Sequence, residues 1–209
     1  NPRKVLELAV WGMTNKSSVA GLNLGGGKSV IIGDPKTMKT EGLFRSFGRF
    51  VESLNGKYIT AEDVGTTVRD MAWVRMETSF VTGIPESLGG SGDPSPVTAY
   101  GVYMGMKAAA KEAFGNDSLT GLTVAVQGVG SVGRHLVKHL HKENARIYIA
   151  DVDQDRIRQV IKEYPIEVID PDLILETPCD IIAPCAMGGI LNEASIAKLR
   201  CKVIAGGAN

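Results

Sequence analysis

Between Thr40 and Leu54 the apolar residues Leu43, Phe44, Phe47, Phe50, Val51 and Leu54 recur at spacings of three and four. That period places them on one face of a helix. The opening stretch from Pro2 to about Lys16 has a weaker version of the pattern, with Val5, Leu6, Ala9 and Met13 on one side. Asn1 is positioned to cap it, and Pro2 suits a first turn. Ser29-Val30-Ile31-Ile32 reads as a short apolar strand ended by Gly33-Asp34-Pro35. Asn55-Gly56 predicts a turn into a second strand, Lys57 to Glu62, and Thr66 or Thr67 can cap a third helix running to about Glu77.

Past residue 95 the pattern changes. A helix rich in small residues is predicted from Val97 to Phe114, and strict alternation follows. Strands are expected at 123–127, 145–150, 166–169, 180–183 and 202–205. Helices are expected at 132–141, 154–163 and 193–199. Strands alternating with helices imply a parallel sheet with helical layers. Gly89-Gly90-Ser91-Gly92-Asp93-Pro94-Ser95-Pro96 concentrates turn formers, so the expected domains are 1–95 and 96–209. The fold class is α/β with two lobes: an N-terminal α/β lobe and a doubly wound, Rossmann-type lobe. Trp11 and Trp73 are expected to pack among apolar neighbours.

Composition narrows the function. Lysine plus arginine equal aspartate plus glutamate at 23 each, so a polyanion such as nucleic acid is not the expected partner. No apolar run is long enough to cross a bilayer, and the start lacks a secretion-signal pattern. The cysteines, Cys179, Cys185 and Cys201, form no CxxC pair. They read as reduced thiols in a cytoplasmic protein.

Gly128-Val129-Gly130-Ser131-Val132-Gly133 is a GxGxxG run between a predicted strand and a predicted helix. In that context the first glycine makes the turn and the second admits a pyrophosphate. The third lets helix and strand pack, and the helix N-terminus supplies amide donors. Asp151 ends the next strand, 23 residues after Gly128. A carboxylate there takes ribose hydroxyls and repels a 2′-phosphate, which favours NAD over NADP. Asp153, two residues on, is better placed to cap the following helix.

Gly25-Gly26-Gly27-Lys28 follows Lys16 in the first half. A glycine triplet lets backbone approach where a Cβ would not fit, and a lysine on it can lose solvation and move toward neutrality. Lys16, Lys28 and Asp63 together could supply what amine oxidation by NAD demands: a cation for a carboxylate, a base for the ammonium and a group that activates water. Each also has a plain reading. Lys16 could close its helix, Lys28 could be solvated, and Asp63 could be a turn residue before Gly65. Gly27-Lys28-Ser29 partly matches a phosphate-cradling NTPase loop, but that pattern wants a glycine where Leu22 stands. His135 and His139 lie four apart without a completing ligand, which predicts a solvated helix face rather than a metal site.

Read in order, MTNKSSVAGLNLGGGKSVIIGDP, ITAEDVGTT, GDPSPVTAYGV, VAVQGVGSVG, CDIIAPCAMGGILN and VIAGGAN closely resemble the Glu/Leu/Phe/Val dehydrogenase family, and most of all its leucine-specific members. The resemblance implies NAD-dependent oxidative deamination of a branched-chain L-amino acid to its 2-oxo acid and ammonia, and the reverse amination. It sets Lys16 on the substrate carboxylate, with Met13 and Ala61 lining the pocket. It makes Lys28 the catalytic lysine that polarises water and holds the carbinolamine, and Asp63 the proton shuttle. Cofactor contacts fall on Thr98, Gly128, Val129, Gly130, Ser131, Val132, Gly133 and Arg134, with Ala186, Met187 and Asn209 beside the nicotinamide ribose. The leucine-specific enzymes often carry alanine where this chain has Gly133, a difference expected to be harmless to cofactor binding. Family members extend past both ends of this sequence, so it is expected to be part of a longer, homo-oligomeric enzyme. The alternative is a non-catalytic chain that binds NAD or joins a longer relative as a subunit. No metal, nucleic acid or membrane is expected as a partner.

Overall fold

The computed structural model describes residues 2–208, the side chains of 2–5 and 8 excepted. The chain divides into two compact units, Asn1–Pro94 and Ser95–Asn209.

In the first unit, helix α1 spans Pro2–Val19, α2 Glu41–Ser53 and α3 Val68–Arg75, with a single 3-10 turn at Glu86–Leu88. Thr40 caps α2 by accepting the Leu43 amide, and Asn55 and Gly56 turn its exit with positive φ. Thr67 and Asp70 form a reciprocal capping box at the start of α3. Phe44 on α2 buries against Met71 and Val74 on α3 and against Val81 and Ile84. Each large side chain buried this way contributes about 1.5–3 kcal/mol. Gly48 marks where the two helices cross, since a Cβ there would stand 2.8 Å from the Val74 carbonyl oxygen.

Two expectations fail in this unit. The stretches 29–32 and 57–62 are not strands; the pairing found is one parallel bridge, Thr60 to Val81. Val30 and Ile31 are exposed, and Ile32 is 75% exposed. An apolar run becomes a strand only when a neighbour pairs its backbone, and none of the described residues does so here. Trp11 is likewise 69% exposed on α1 rather than packed. Trp73 does pack, its ring 6.1 Å from Phe44 with the Arg69 guanidinium over it.

The second unit is regular. Helix α4 (Ser95–Phe114) precedes β1 (Thr123–Gln127), α5 (Ser131–Lys142), β2 (Arg146–Ala150), α6 (Gln154–Glu163) and β3 (Glu167–Val168). Next come β4 (Ile181–Pro184), α7 (Glu193–Ile196) and β5 (Val203–Ile204). The five strands are all parallel in the order β3-β2-β1-β4-β5, with Val124 level with Ile147 on one side and Ile181 on the other. Period two divides the core: Val124 and Val126 face Met106, Leu136, Val137 and Leu140, while Ala125 faces Ala150, Ile174 and Ile182. The chain is therefore α/β, with its parallel sheet confined to the second unit. This sheet order reverses direction at β1/β4, where open parallel sheets place their ligand crevice.

His139 departs from the predicted solvated face. Its ring stacks on Tyr103 of α4 at 5.1 Å, and burial holds its pKa below the ordinary histidine value. Glu143, just past α5, accepts from the Tyr103 hydroxyl, from Lys107 Nζ at 2.7 Å and from the Leu119 amide at 2.9 Å. No helix among the described residues is long and apolar enough to cross a membrane.

Candidate active site

In the first unit the glycine triplet runs as irregular backbone from α1 toward Lys28. Gly26 lies directly on α1: its amide donates to Thr14 Oγ1 at 2.9 Å, and a Cβ there would be 1.9 Å from the Val10 carbonyl oxygen. Gly27 is covered by the Tyr58 ring, which a Cβ would approach to 2.7 Å. Gly25 has open space around it. Two of the three glycines thus let the backbone pass between a helix and an aromatic ring.

This path delivers Lys28 to Asp63, and the two side chains form an ion pair while 27% and 49% exposed. Asp63 sits in a tight turn rather than at a strand end. Its amide donates to Thr66 Oγ1 at 2.9 Å, the same hydroxyl donates to the Asp63 carbonyl at 2.8 Å, and Asp63 Oδ1 accepts the Val64 amide. Oδ2 is left for Lys28. Burial lowers the Lys28 pKa, and the positive charge of Lys16 lowers it further. The Asp63 carboxylate pulls the other way, but the net direction is down. Lys16 occupies the last turn of α1, three residues after the half-buried Met13. Ala61 is exposed, two residues before Asp63. Lys16, Lys28 and Asp63 are therefore within electrostatic reach of one another.

Three further groups brace this loop, and the sequence reading missed them. Asp70 is buried and accepts from Lys39 Nζ at 2.5 Å, from the Thr67 amide at 2.8 Å and from the Thr67 hydroxyl at 3.0 Å. Glu62 is half-buried, and its carboxyl pKa is raised by burial and by Asp93 against the opposing charge of Lys39. Thr14 carries the hydrogen bond to Gly26. The capping signal at Thr67 and Asp70 was readable; the long-range partner Lys39 was not, because 31 residues separate it from Asp70.

In the second unit the fingerprint glycines differ in what surrounds them. Gly128 has φ +93°, and a Cβ there would meet Ala186 at 2.6 Å. A Cβ on Gly133 would stand 2.0 Å from the Gly128 carbonyl oxygen. Protein closes both positions. At Gly130 the nearest atom to a Cβ is the tip of Arg156 at 3.5 Å, so this face is open. Gly130 caps α5 without any side-chain hydrogen bond, which leaves the first-turn amides for an incoming anion. Asp151 is 7% exposed and already engaged: Oδ2 accepts the Val129 amide at 2.8 Å and Oδ1 the Asp153 amide at 2.9 Å. Asp153 caps α6, as its position suggested.

Arg134 opens onto a cavity of about 280 Å³ beside this loop, shared with Val129, His135, Lys138 and Arg156. Thr98 is exposed in the first turn of α4; Ala186 and Met187 are exposed just past β4. Asn209 lies outside the described residues. The cysteines are free; burial, then the neighbouring Cys201, pushes the Cys179 thiol up to about 11. An open glycine, uncapped amide donors and an accepting carboxylate tied to the same loop are what a dinucleotide pyrophosphate and ribose require.

The sequence model for the dimerisation domain of Glu/Leu/Phe/Val dehydrogenases matches residues 1–80, and that for Glutamate/Leucine/Phenylalanine/Valine dehydrogenase matches residues 89–157. The chain belongs to the Glu/Leu/Phe/Val dehydrogenase family. Within it, the leucine dehydrogenases of Thermoactinomyces intermedius and Geobacillus stearothermophilus are each 58% identical over 198 residues, covering 95% of this chain and 54% of theirs. The L-tryptophan dehydrogenase structure from Nostoc punctiforme superposes with a TM-score of 0.70 at 39% identity, covering 99% of this chain and 57% of that one. The chain spans about half the length of the curated relatives it matches.

Proposed function

We propose that the protein carrying this chain is an NAD-dependent amino-acid dehydrogenase that deaminates branched-chain L-amino acids such as leucine to 2-oxo acids, and runs the reverse amination. The balance is amino acid, NAD⁺ and water giving 2-oxo acid, ammonium, NADH and a proton. The observation that carries this reading is the Lys28–Asp63 pair, held on a glycine loop within the field of Lys16.

Lys16 is a point charge on an exposed helix turn, suited to the substrate carboxylate. Lys28, with its pKa lowered by burial, spends more time as a neutral amine than a solvated lysine does, so it can accept a proton from the attacking water. Asp63 keeps Oδ2 for this exchange and is positioned to carry protons to and from the substrate nitrogen. Met13 and Ala61 contribute the apolar wall that receives an aliphatic side chain.

The residues of the second unit fit NAD. Gly130 and the first-turn amides of α5 (Ser131, Val132, Gly133) would receive the pyrophosphate, flanked by Gly128, Val129 and Arg134. Asp151 retains lone pairs that would accept from ribose hydroxyls, and Thr98, Ala186 and Met187 would add further contacts, as would Asn209 by the family resemblance. When bound, NAD supplies the hydride acceptor. That fit rests on the glycine geometry of this loop. The dimerisation-domain match over residues 1–80 supports a homo-oligomer, and the three free thiols fit the cytoplasm.

Leucine, valine or isoleucine mixed with NAD and the full-length protein should raise NADH absorbance. No rise with any of the three would overturn the assignment.

A further inference from the structure

We propose that Thr14 is a positioning residue of this site: its hydroxyl locks the middle of the glycine triplet onto α1 and so sets the spacing of the Lys16 and Lys28 ammonium groups. This rests on the functional reading above and adds a residue to it.

Thr14 is exposed, and an exposed threonine late in a helix ordinarily does little. Here its hydroxyl has two partners. Oγ1 donates to the Val10 carbonyl at 3.0 Å, one helical turn back, and accepts the Gly26 amide at 2.9 Å. The back-bond to Val10 selects the threonine rotamer. With the hydroxyl proton committed to the helix, the oxygen lone pairs are left for the loop. The contact is close enough to exclude any side chain at Gly26, because a Cβ would come within 2.6 Å of that same oxygen.

The geometry is economical in chain length. Thr14 precedes Lys16 by two residues, and Gly26 precedes Lys28 by two. One hydrogen bond therefore joins two short arms, each ending in an ammonium group. Tyr58 holds the next residue, Gly27, from its other side. Without the Thr14 bond, Gly26 would exchange its partner for water and the loop could lift from α1. Lys28 would then regain water and move away from Lys16, removing both influences that lower its pKa.

Thr14→Val keeps the shape of the side chain and deletes both hydrogen bonds; Thr14→Ser keeps the hydroxyl. In the full-length protein, Thr14→Val should speed amide hydrogen exchange at Gly26 by roughly 10-fold or more. It should also lower kcat by roughly 10- to 100-fold, the scale of a small misplacement in an active site. The limb of the kcat–pH profile governed by Lys28 should move to higher pH, with NAD affinity unchanged. Thr14→Ser should restore exchange, rate and pH profile together. If the valine variant fails to fold, Thr14→Ala is read in the same way. Wild-type exchange and an unshifted pH profile in the valine or alanine variant would overturn the proposal, as would a serine variant equally impaired. Lys28→Ala separates the two claims: if it loses turnover while Thr14→Val behaves as wild type, the positioning role fails and the site assignment stands. If Lys28→Ala keeps full turnover, the site assignment falls and Thr14's role falls with it.

Discussion

The two units solve the same problem, placing polar chemistry on irregular backbone, in opposite ways. In the second unit the irregular piece is short: three residues, 128–130, link β1 to α5, with β1 inside a five-stranded parallel sheet and α5 packed on it. Two of the fingerprint glycines are enforced by packing: a Cβ on Gly128 would meet Ala186 at 2.6 Å, and one on Gly133 would stand 2.0 Å from the Gly128 carbonyl oxygen. In the first unit the irregular piece runs over residues 20–40 with no strand beneath it. Individual bonds hold it instead: Thr14 to Gly26, Tyr58 over Gly27, and Lys28 to Asp63. A sheet supports a loop cooperatively, so one lost contact is shared among many. A loop held by single contacts transmits each loss directly to the group it carries, and Lys28, the proposed base, sits on such a loop.

Substitutions in the two units should therefore fail differently. The largest effect is expected from Lys28→Ala, which removes the proposed base and should lower kcat by about 10²–10⁴-fold. NAD affinity, measured by calorimetry, should be unchanged because the proposed cofactor residues lie in the other unit; a parallel loss of NAD binding would break the division of labour.

Gly128→Ala tests the opposite case. At φ +93° the added Cβ would also meet Ala186 at 2.6 Å, so it should cost about 1–3 kcal/mol of stability and weaken NAD binding. Thermal unfolding and NAD titration check this, and unchanged values would show that the fingerprint loop relaxes more readily than its packing implies.

Lys16→Ala should cost about 2 kcal/mol of carboxylate binding, a rise of roughly 30-fold in the amino-acid KM with a smaller change in kcat. A smaller effect should accompany it. Lys16 is the second cause of the lowered Lys28 pKa, after burial, so the pH limb governed by Lys28 should rise in this variant by a fraction of a unit, about the size of one screened charge. In the unmodified protein the limb should lie below the ordinary lysine value of 10.5: deprotonation of Lys28 activates it, and burial makes deprotonation easier. A limb unmoved by Lys16→Ala would show that the two ammonium groups do not sense each other.

The second unit was largely readable because its signals are local. β1 and α6 match their expected spans residue for residue; β2, β4 and α5 shift by one residue at their ends. Alternation and helical period report burial directly where a sheet and its covering helices provide two sides. The same reasoning misread 29–32, where β-branched residues imitate a buried strand but lie exposed without a partner. It also misjudged Trp11 and His139, since whether an aromatic ring packs depends on what another element brings to it.

Residue order alone determined the family, the paired lysines, the aspartate and the fingerprint, because each is a matter of chemical type and spacing along the chain. Tertiary structure decided that Lys28 meets Asp63, that Lys39 braces Asp70 and that Thr14 holds Gly26. These contacts join residues 12, 31 and 35 positions apart, and loop closure over such distances depends on packing that no local period encodes.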